Sequence, residues 1–258
     1  MAVSAIFVAL LAARDAPAVA LSLSHDEAVQ IGHRIWQNEC GGTLSGLTSW
    51  NAGEDFASLG IGHFIWYPAG KRGPFEESFP ELLRYMRKRG AKLPQFLLPN
   101  DVDCPWKSRA QFLAASSSPE MKQLRNFLAH TIDLQADFLV ARLVQSVPKI
   151  FRAIPTGKRL KAERCFERLS SSAQGCYALI DYVNFKGEGT LATERYRGRG
   201  WGLLQVLEGM SDEGPAVNAF SESAARVLRE RVANSPPERH ESRWLPGWLN
   251  RVATYRSF

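Results

Sequence analysis

The chain has 258 residues, of which 45% are hydrophobic and 22% are charged, and this composition is ordinary for a soluble globular protein. Its net charge of +6 favours a polyanionic partner or surface. The basic residues are dispersed and no recognised nucleic-acid-binding motif occurs, so we predict that nucleic acid is not a partner.

The first twenty residues predict a signal peptide. An apolar run is followed by Ala18-Val19-Ala20, which has the small-x-small form of a cleavage site. The run is too short to span a bilayer as a transmembrane helix. We therefore expect an exported protein, periplasmic or secreted, that begins near Leu21 and is not stably inserted in a membrane. The alternative is that residues 1–20 form an apolar first helix packed on the core.

Four cysteines follow this leader, at Cys40, Cys104, Cys165 and Cys176. An even number of cysteines in an exported protein allows two disulfides, with three possible connectivities. We favour Cys165–Cys176, between two adjacent helices, and Cys40–Cys104, at the end of the first helix. A cytoplasmic protein would keep four thiols. The absence of a Cys-x-x-Cys pair argues against a zinc site, and we expect neither a metal nor a cofactor.

The first part of the mature chain predicts a helix and then a small sheet. Ser24-His25-Asp26-Glu27 has the form of a capping box, and apolar residues recur at helical spacing until Gly41-Gly42. Short apolar and aromatic runs from Leu44 to Tyr67, interrupted by the turn Asn51-Ala52-Gly53, predict a small antiparallel sheet.

The rest of the chain predicts mostly helices. They run from Ser78 to Gly90, from Ser118 through Leu143 with a bend or an end at Pro148, and over 158–169, 173–185, 201–210, 216–232 and 248–255. The long helix predicted from Ser118 is apolar around its circumference, which is typical of a buried helix. The helices at 158–169 and 173–185 are expected to form a helical hairpin.

The stretch from Glu39 to His63 resembles the phage-type lysozymes. In that family a Glu closes the first helix, a β-hairpin carries a second acidic residue, and a Thr-x-Gly-x-Gly-His run forms the floor of the cleft. Glu39 matches the Glu, Ser58 matches the Thr, and Gly60, Gly62 and His63 match the rest of the run.

This resemblance implies an α+β fold, mostly helical, with a small antiparallel sheet beside a cleft. It extends more loosely to Tyr177–Val183, which is similar to a core helix of the family, and to Trp244–Arg251, which is similar to its closing helix. We expect one lysozyme-like domain over residues 21–258, with a small α/β lobe at about 25–75 and a helical lobe at about 76–258.

Glycosidic bond cleavage needs a protonated acid at the leaving oxygen and a second carboxylate that steers water or stabilises the developing cation. The resemblance implies that Glu39 is the acid. The second acid of the family would fall at Asn51 to Ala52, so we choose Glu54, at the start of the returning strand, with Asp55 as the alternative and Asn51 as a substrate contact. Two carboxyls far enough apart to admit a water would give inversion. Both Glu54 and Asp55 could instead be surface charges.

The turn after these acids carries further candidates. Ser58 could hydrogen-bond the attacking water in place of the Thr hydroxyl. Gly60 and Gly62 would allow a sugar to approach the backbone closely, or would form a bulge. His63 is expected to hold the structure by pairing with a carboxylate of the helical lobe.

A second constellation, from Gly187 to Gln205, resembles the lytic transglycosylases and plant-type chitinases. In those families a catalytic Glu precedes a Gly-rich stretch with a Gln near a helix start. Glu188 or Glu194 would then be the acid and Gln205 a sugar-binding amide. We predict that this loop borders the same cleft as Glu39, with Trp201 and Gln205 in contact with the substrate. Its arginines would meet carboxylates of the wall polymer; they are Arg195, Arg197 and Arg199.

We conclude from the sequence that the protein is an exported, monomeric muramidase that hydrolyses the glycan strand of peptidoglycan or a related amino-sugar polymer. A lysozyme-like protein that binds the wall without cleaving it is the rival, because the second acid is missing from the family position. No P-loop, dinucleotide-binding, zinc-protease or nucleophile-elbow motif competes with these hypotheses.

Overall fold

The computed structural model of the protein describes residues 21, 23–73, 75–99 and 102–257. The predicted signal peptide at residues 1–20 lies outside them. The described residues form ten helices, α1 (His25–Cys40), α2 (Phe79–Lys88), α3 (Arg109–Ala114), α4 (Pro119–Ala129), α5 (Ile132–Ala153), α6 (Thr156–Ser170), α7 (Ala173–Lys186), α8 (Leu203–Gly209), α9 (Ala216–Asn234) and α10 (Leu245–Ala253). They also form five short strands, β1 (Thr48–Ser49), β2 (Ala57–Leu59), β3 (Phe64–Trp66), β4 (Arg195–Tyr196) and β5 (Arg199–Gly200). The predicted α+β class, mostly helical with a small antiparallel sheet, is confirmed.

The chain divides into two compact units. The sheet unit consists of residues 28–139 and contains the three-stranded sheet. The helical unit consists of the described residues up to Glu27 and from Val140 onward. The two divisions between the units lie inside α1 and inside α5. In the part of the chain that the structure describes, no helix combines the length and the apolarity needed to cross a lipid bilayer.

Helix α2 packs on the three-stranded sheet. Ser78, just before the helix, accepts a hydrogen bond from the Ile65 amide at 3.0 Å, and the ring of Phe79 lies 4.8 Å from that of Trp66. Both rings are fully buried. The lobe boundary predicted near residue 75 therefore does not coincide with the division between the units, because the chain on both sides of it shares one core.

Helix α1 begins and ends where the sequence predicts. The Ser24 amide donates to Glu27 Oε2 at 2.8 Å and the Glu27 amide donates back to Ser24 Oγ at 3.3 Å, which is a capping box. These bonds from Ser24 lower the pKa of the Glu27 carboxyl. At the other end Gly41 and Gly42 have φ angles of 60° and 66°, a left-handed conformation that glycine adopts readily.

The predicted antiparallel sheet and its turn are confirmed. The strand order is β1-β2-β3, and Ser58 of the central strand lies opposite Ser49. The Glu54 amide donates to the Asn51 carbonyl at 3.3 Å and closes the turn. Strand β2 begins only at Ala57, so the prediction that Glu54 begins the returning strand is wrong.

The long helix predicted from Ser118 is two helices, α4 and α5. Ser118 caps α4 as expected, but the helix ends before Thr131, whose hydroxyl donates to the Phe127 carbonyl at 2.8 Å. Such a side-chain bond competes with the backbone for the carbonyls of the last turn. Pro148 lies within α5 and does not end it, so that part of the prediction is also wrong.

The helical unit contains the predicted hairpin of α6 and α7. A buried charge network joins α7 to the end of the chain: Arg251 Nη2 donates to Asp181 Oδ1 at 2.8 Å, and the Tyr255 hydroxyl donates to Asp181 Oδ2 at 2.7 Å. Asp181 and Tyr255 are fully buried. Because every carboxylate oxygen of Asp181 has a donor, the buried charge is compensated.

All four cysteines are buried thiols, so the two predicted disulfides, Cys40–Cys104 and Cys165–Cys176, are wrong. Each thiol instead lies within hydrogen-bond range of a backbone carbonyl oxygen. Burial raises the pKa of the Cys104 and Cys176 thiols to about 12. These two sulfurs are therefore protonated and unreactive at neutral pH.

Candidate functional site

Glu39, the penultimate residue of α1, pairs with His63. Glu39 Oε2 lies 3.5 Å from His63 Nδ1, with 13% of the Glu39 side chain and 29% of the His63 side chain exposed. The next residue, Cys40, donates from its thiol to the Gly60 carbonyl at 3.5 Å, so the turn is held against the helix end. The expectation that His63 pairs with a carboxylate of the helical lobe is wrong, because its partner is the candidate acid itself.

The turn that carries His63 is fixed by Gln135, a residue of α5 that the sequence analysis missed. Gln135 is fully buried; its Oε1 accepts from the Ile61 amide at 2.9 Å and its Nε2 donates to the Leu128 carbonyl at 2.7 Å. Gly60 has a φ of 70°, and a Cβ there would lie 2.3 Å from Gln135 Oε1. The Gln135 amide thus occupies the side of Gly60 on which a Cβ would lie, and the approach of a sugar to the backbone here stays a prediction. The signal that could have identified Gln135 from the sequence is a polar residue at an otherwise apolar position of a helix.

Of the two candidate second acids, Glu54 is shielded and Asp55 is exposed. Glu54 Oε2 is buried and has no hydrogen-bond partner, and its carbonyl accepts a bond from Trp50 Nε1 at 2.7 Å. The arrangement in which both acids point to solvent is therefore not observed. Asn51, at the turn, is exposed.

Ser58 is the middle residue of β2 and is only 4% exposed. Its carbonyl accepts a bond from the Ser49 hydroxyl at 3.3 Å. The neighbouring Gly62 is also buried. The predicted contact between the Ser58 hydroxyl and an attacking water stays a prediction.

A second pair of carboxylates lies in the helical unit. Glu188 Oε1 accepts from the Ser146 hydroxyl at 2.6 Å and from Lys149 Nζ at 3.3 Å, and its Oε2 accepts from the Thr190 hydroxyl at 3.3 Å. A lysine and two hydroxyls thus stabilise a negative charge on Glu188.

Glu194 is in a different environment. Burial raises the pKa of its carboxyl, in spite of a hydrogen bond from the Gly189 backbone, and the charge of Glu188 adds to the rise. Glu194 Oε2 is buried and has no hydrogen-bond partner. A carboxyl with a raised pKa beside a second carboxyl is a common arrangement for a catalytic acid and its partner.

Trp201 and Gln205 make contacts within the helical unit, and the predicted contacts of both residues with a substrate stay predictions. Gln205 Oε1 accepts from the Gly202 amide at 2.9 Å and its Nε2 donates to the Gly189 carbonyl at 3.1 Å, so both ends of the amide hold the loop. Trp201 is 8% exposed, and the guanidinium of Arg231 lies 4.1 Å from the centre of its ring. Helix α8 begins at Leu203, after the predicted start at Trp201.

Glu39 belongs to the sheet unit and Gln205 to the helical unit, so the single cleft stays a prediction. Among the residues that the structure describes, no group of three or more His, Cys, Asp or Glu side chains is arranged to hold a metal ion.

The fold and these sites define an α+β protein with a carboxylate–histidine pair at a helix end and a second pair of carboxylates in a helical unit. No family model matches the chain, and no curated protein or solved structure matches it either.

Proposed function

We propose that the protein is a lysozyme-like muramidase that hydrolyses the glycan strand of peptidoglycan. The observation that supports this most directly is the 3.5 Å contact between Glu39 and His63. It joins the end of the first helix to the Gly-x-Gly-His turn, and these are the two motifs on which the resemblance to phage-type lysozymes depends.

In this mechanism Glu39 donates a proton to the leaving glycosidic oxygen. Glu39 is largely shielded from water, which favours transfer of its proton to a bound sugar and not to solvent. His63 Nδ1 orients the carboxyl from the other side.

Glu54 is the proposed second carboxylate. Its side chain is partly shielded from solvent, which suits a carboxylate that has to act on a bound sugar and not on bulk water. Asp55 is exposed and is a weaker candidate, since an exposed carboxylate is already hydrated. Ser58 would hydrogen-bond the attacking water, and Asn51 would contact the sugar from the turn.

The deciding assay is the release of reducing ends from purified peptidoglycan. Glu39→Gln should lower the rate about 10²- to 10⁴-fold, the usual contribution of a general acid. Glu120→Gln, an exposed glutamate in the first turn of α4, is the matched control and should keep full activity. Full activity of Glu39→Gln would exclude this mechanism.

The second candidate function is that of a transglycosylase-like enzyme with Glu194 as the acid. The raised pKa of the Glu194 carboxyl and the neighbouring Glu188 carboxyl, which pairs with Lys149, favour this alternative. Such an enzyme would cleave the same strand by intramolecular attack, and the product would carry an anhydro end in place of a reducing end. Loss of activity in Glu194→Gln with full activity in Glu39→Gln would select it.

The rival from another class is a wall-binding protein that does not cleave. It predicts retention on insoluble peptidoglycan with neither reducing nor anhydro ends released by the unmodified protein. For either role we place the protein outside the cytoplasm, periplasmic or secreted and monomeric. Cleavage near Leu21, read by N-terminal sequencing of the secreted protein, tests that placement.

A further inference from the structure

Five exposed arginines lie on two neighbouring segments of the helical unit. They form what we call the arginine surface and consist of Arg195, Arg197, Arg199, Arg239 and Arg243. The first three belong to the β4–β5 hairpin. The other two belong to the short 3₁₀ turns between α9 and α10.

A buried network joins the two segments. The Tyr196 hydroxyl of the hairpin donates to Glu241 Oε1 at 2.9 Å, and Arg231 of α9 donates to both oxygens of Glu241 at 2.8 Å. Glu241 is 6% exposed. Arg239 lies two residues before Glu241, on the segment that the Tyr196 bond joins to the hairpin.

The charge of this surface is not balanced locally. Residues 195–200 and 237–244 contain two acidic residues, and Glu241 is neutralised from within by Arg231. Glu238 is then the one exposed carboxylate of these segments. The cations of both segments are arginines and one histidine, with no lysine, and the arginine guanidinium is the group that binds phosphate in a bidentate way.

Two of the basic residues occupy strained turns. Arg197 has a φ of 49° and Gly198 a φ of 77°, so both central residues of the hairpin turn are left-handed. Asn or Gly is the usual first residue of such a turn. His240, between Arg239 and Glu241, also has a φ of 49°. A basic side chain at these positions is less stable than Asn or Gly, so its presence calls for a reason outside the fold.

An aromatic residue adjoins the arginines. Trp244 is 53% exposed, and the Arg243 guanidinium lies 4.8 Å from the centre of its ring. An exposed tryptophan beside a group of exposed arginines suits the headgroup layer of a membrane, where an indole lies at the interface and guanidinium groups can meet lipid phosphates.

From these observations we propose that the arginine surface, together with Trp244, docks the protein on a membrane of anionic phospholipids. The docking is peripheral and does not require a segment to enter the hydrocarbon core. This activity goes beyond glycan cleavage and does not depend on it.

The test is flotation of the full chain with phosphatidylcholine vesicles with and without phosphatidylglycerol. We expect binding only to the anionic vesicles, weakened by added salt. Changing Arg195, Arg197 and Arg199 together to Gln should weaken binding about fivefold for each arginine, or about a hundredfold in all. The matched control changes three exposed arginines elsewhere, Arg84, Arg152 and Arg229, to Gln. It alters the net charge equally and should lose much less affinity.

The Trp244→Ala variant distinguishes binding to a membrane from binding to a soluble polyanion. It should weaken binding to anionic vesicles and leave binding to soluble polyphosphate unchanged. Equal losses in the two triple variants would overturn the proposal, since net charge alone would then explain the binding. Tight binding to polyphosphate without binding to vesicles would also overturn it, as would full vesicle binding by Trp244→Ala. Because the vesicles contain no glycan, none of these results bears on the proposed muramidase activity.

Discussion

Replacing Gln135 by Leu keeps the approximate size of the side chain and removes its amide. The buried Ile61 amide would then lose its acceptor, 2.9 Å away, and an unsatisfied buried N–H costs about 1–3 kcal/mol. The Leu128 carbonyl loses one of its donors but still accepts from the Thr131 amide at 3.4 Å, so this loss is about 1 kcal/mol. The free energy of unfolding should therefore fall by about 2–4 kcal/mol.

Urea unfolding of the full chain measures this loss. The urea concentration at the midpoint of unfolding should fall, while the slope of the free energy of unfolding against urea concentration stays the same. Gln123→Leu is the matched control, because Gln123 is an exposed glutamine in α4. If Gln135→Leu changes the free energy of unfolding by no more than about 0.5 kcal/mol relative to that control, the assigned role of the Gln135 amide is wrong.

A double-mutant cycle with Gly60→Ala tests the contact itself. A methyl group at Gly60 meets Gln135 Oε1 at 2.3 Å and also has an unfavourable φ of 70°. Truncation by Gln135→Ala removes the close contact with Oε1 and leaves the unfavourable φ, which costs about 1 kcal/mol. Gly60→Ala should consequently be less destabilising in the truncated background, so the two changes should not be additive. Strict additivity would show that the two residues do not touch.

The remaining predictions concern titratable groups. Burial raises the pKa of the Glu194 carboxyl, so its ionisation destabilises the native state as the pH rises through that pKa. In thermal unfolding, Glu194→Gln should therefore be more stable than the unmodified chain at neutral pH, and the difference should vanish below pH 4. Burial raises the pKa of the Glu241 carboxyl, but the hydrogen bonds and charge of Arg231, the bond from Tyr196 and the charge of Lys186 together outweigh it, so the net pKa is lowered. This contribution to stability is present at neutral pH and is lost as the pH falls through the lowered pKa. Glu241→Gln should destabilise the chain by about 3–5 kcal/mol in chemical unfolding, the usual cost of breaking a buried pair. Alkylation of the native chain at neutral pH should spare Cys104 and Cys176, and mass spectrometry after denaturation should show four free thiols; a disulfide at either residue would contradict the structure.

Features of the fold that depend on neighbouring residues were predictable from the sequence. The capping box at Ser24 and the end of α1 at Gly41 rest on hydrogen bonds and φ angles within a few residues. The turn at Asn51 and the antiparallel sheet around it are equally local. A sequence pattern reports such interactions directly.

The features that were missed depend on contacts between distant parts of the chain. Ile61 and Gln135 are far apart in sequence, and no periodicity indicates that one buried glutamine satisfies a turn amide. The break between α4 and α5 was hidden because the apolar pattern continues across Thr131. His63 was expected to pair with a carboxylate of the helical lobe, and only the structure shows that Glu39 is its partner. The contacts of Trp201 with Arg231 and of Gln205 with Gly189 were missed for the same reason, because such distant partners cannot be identified from local sequence.

Three residues other than glycine have left-handed backbones within the described part of the chain: His63, Arg197 and His240, each with a φ of 49°. A side chain in this conformation costs about 1–2 kcal/mol relative to glycine, so each position offers an easy gain in stability. Arg197→Asn would even create Asn-Gly, the preferred pair for its turn. A mutant library selected only for heat resistance should therefore replace these three residues by Asn or Gly. The same library selected for wall cleavage should keep His63, and one selected for vesicle binding should keep Arg197. Selection for thermal stability and selection for activity should therefore favour different residues at these turns.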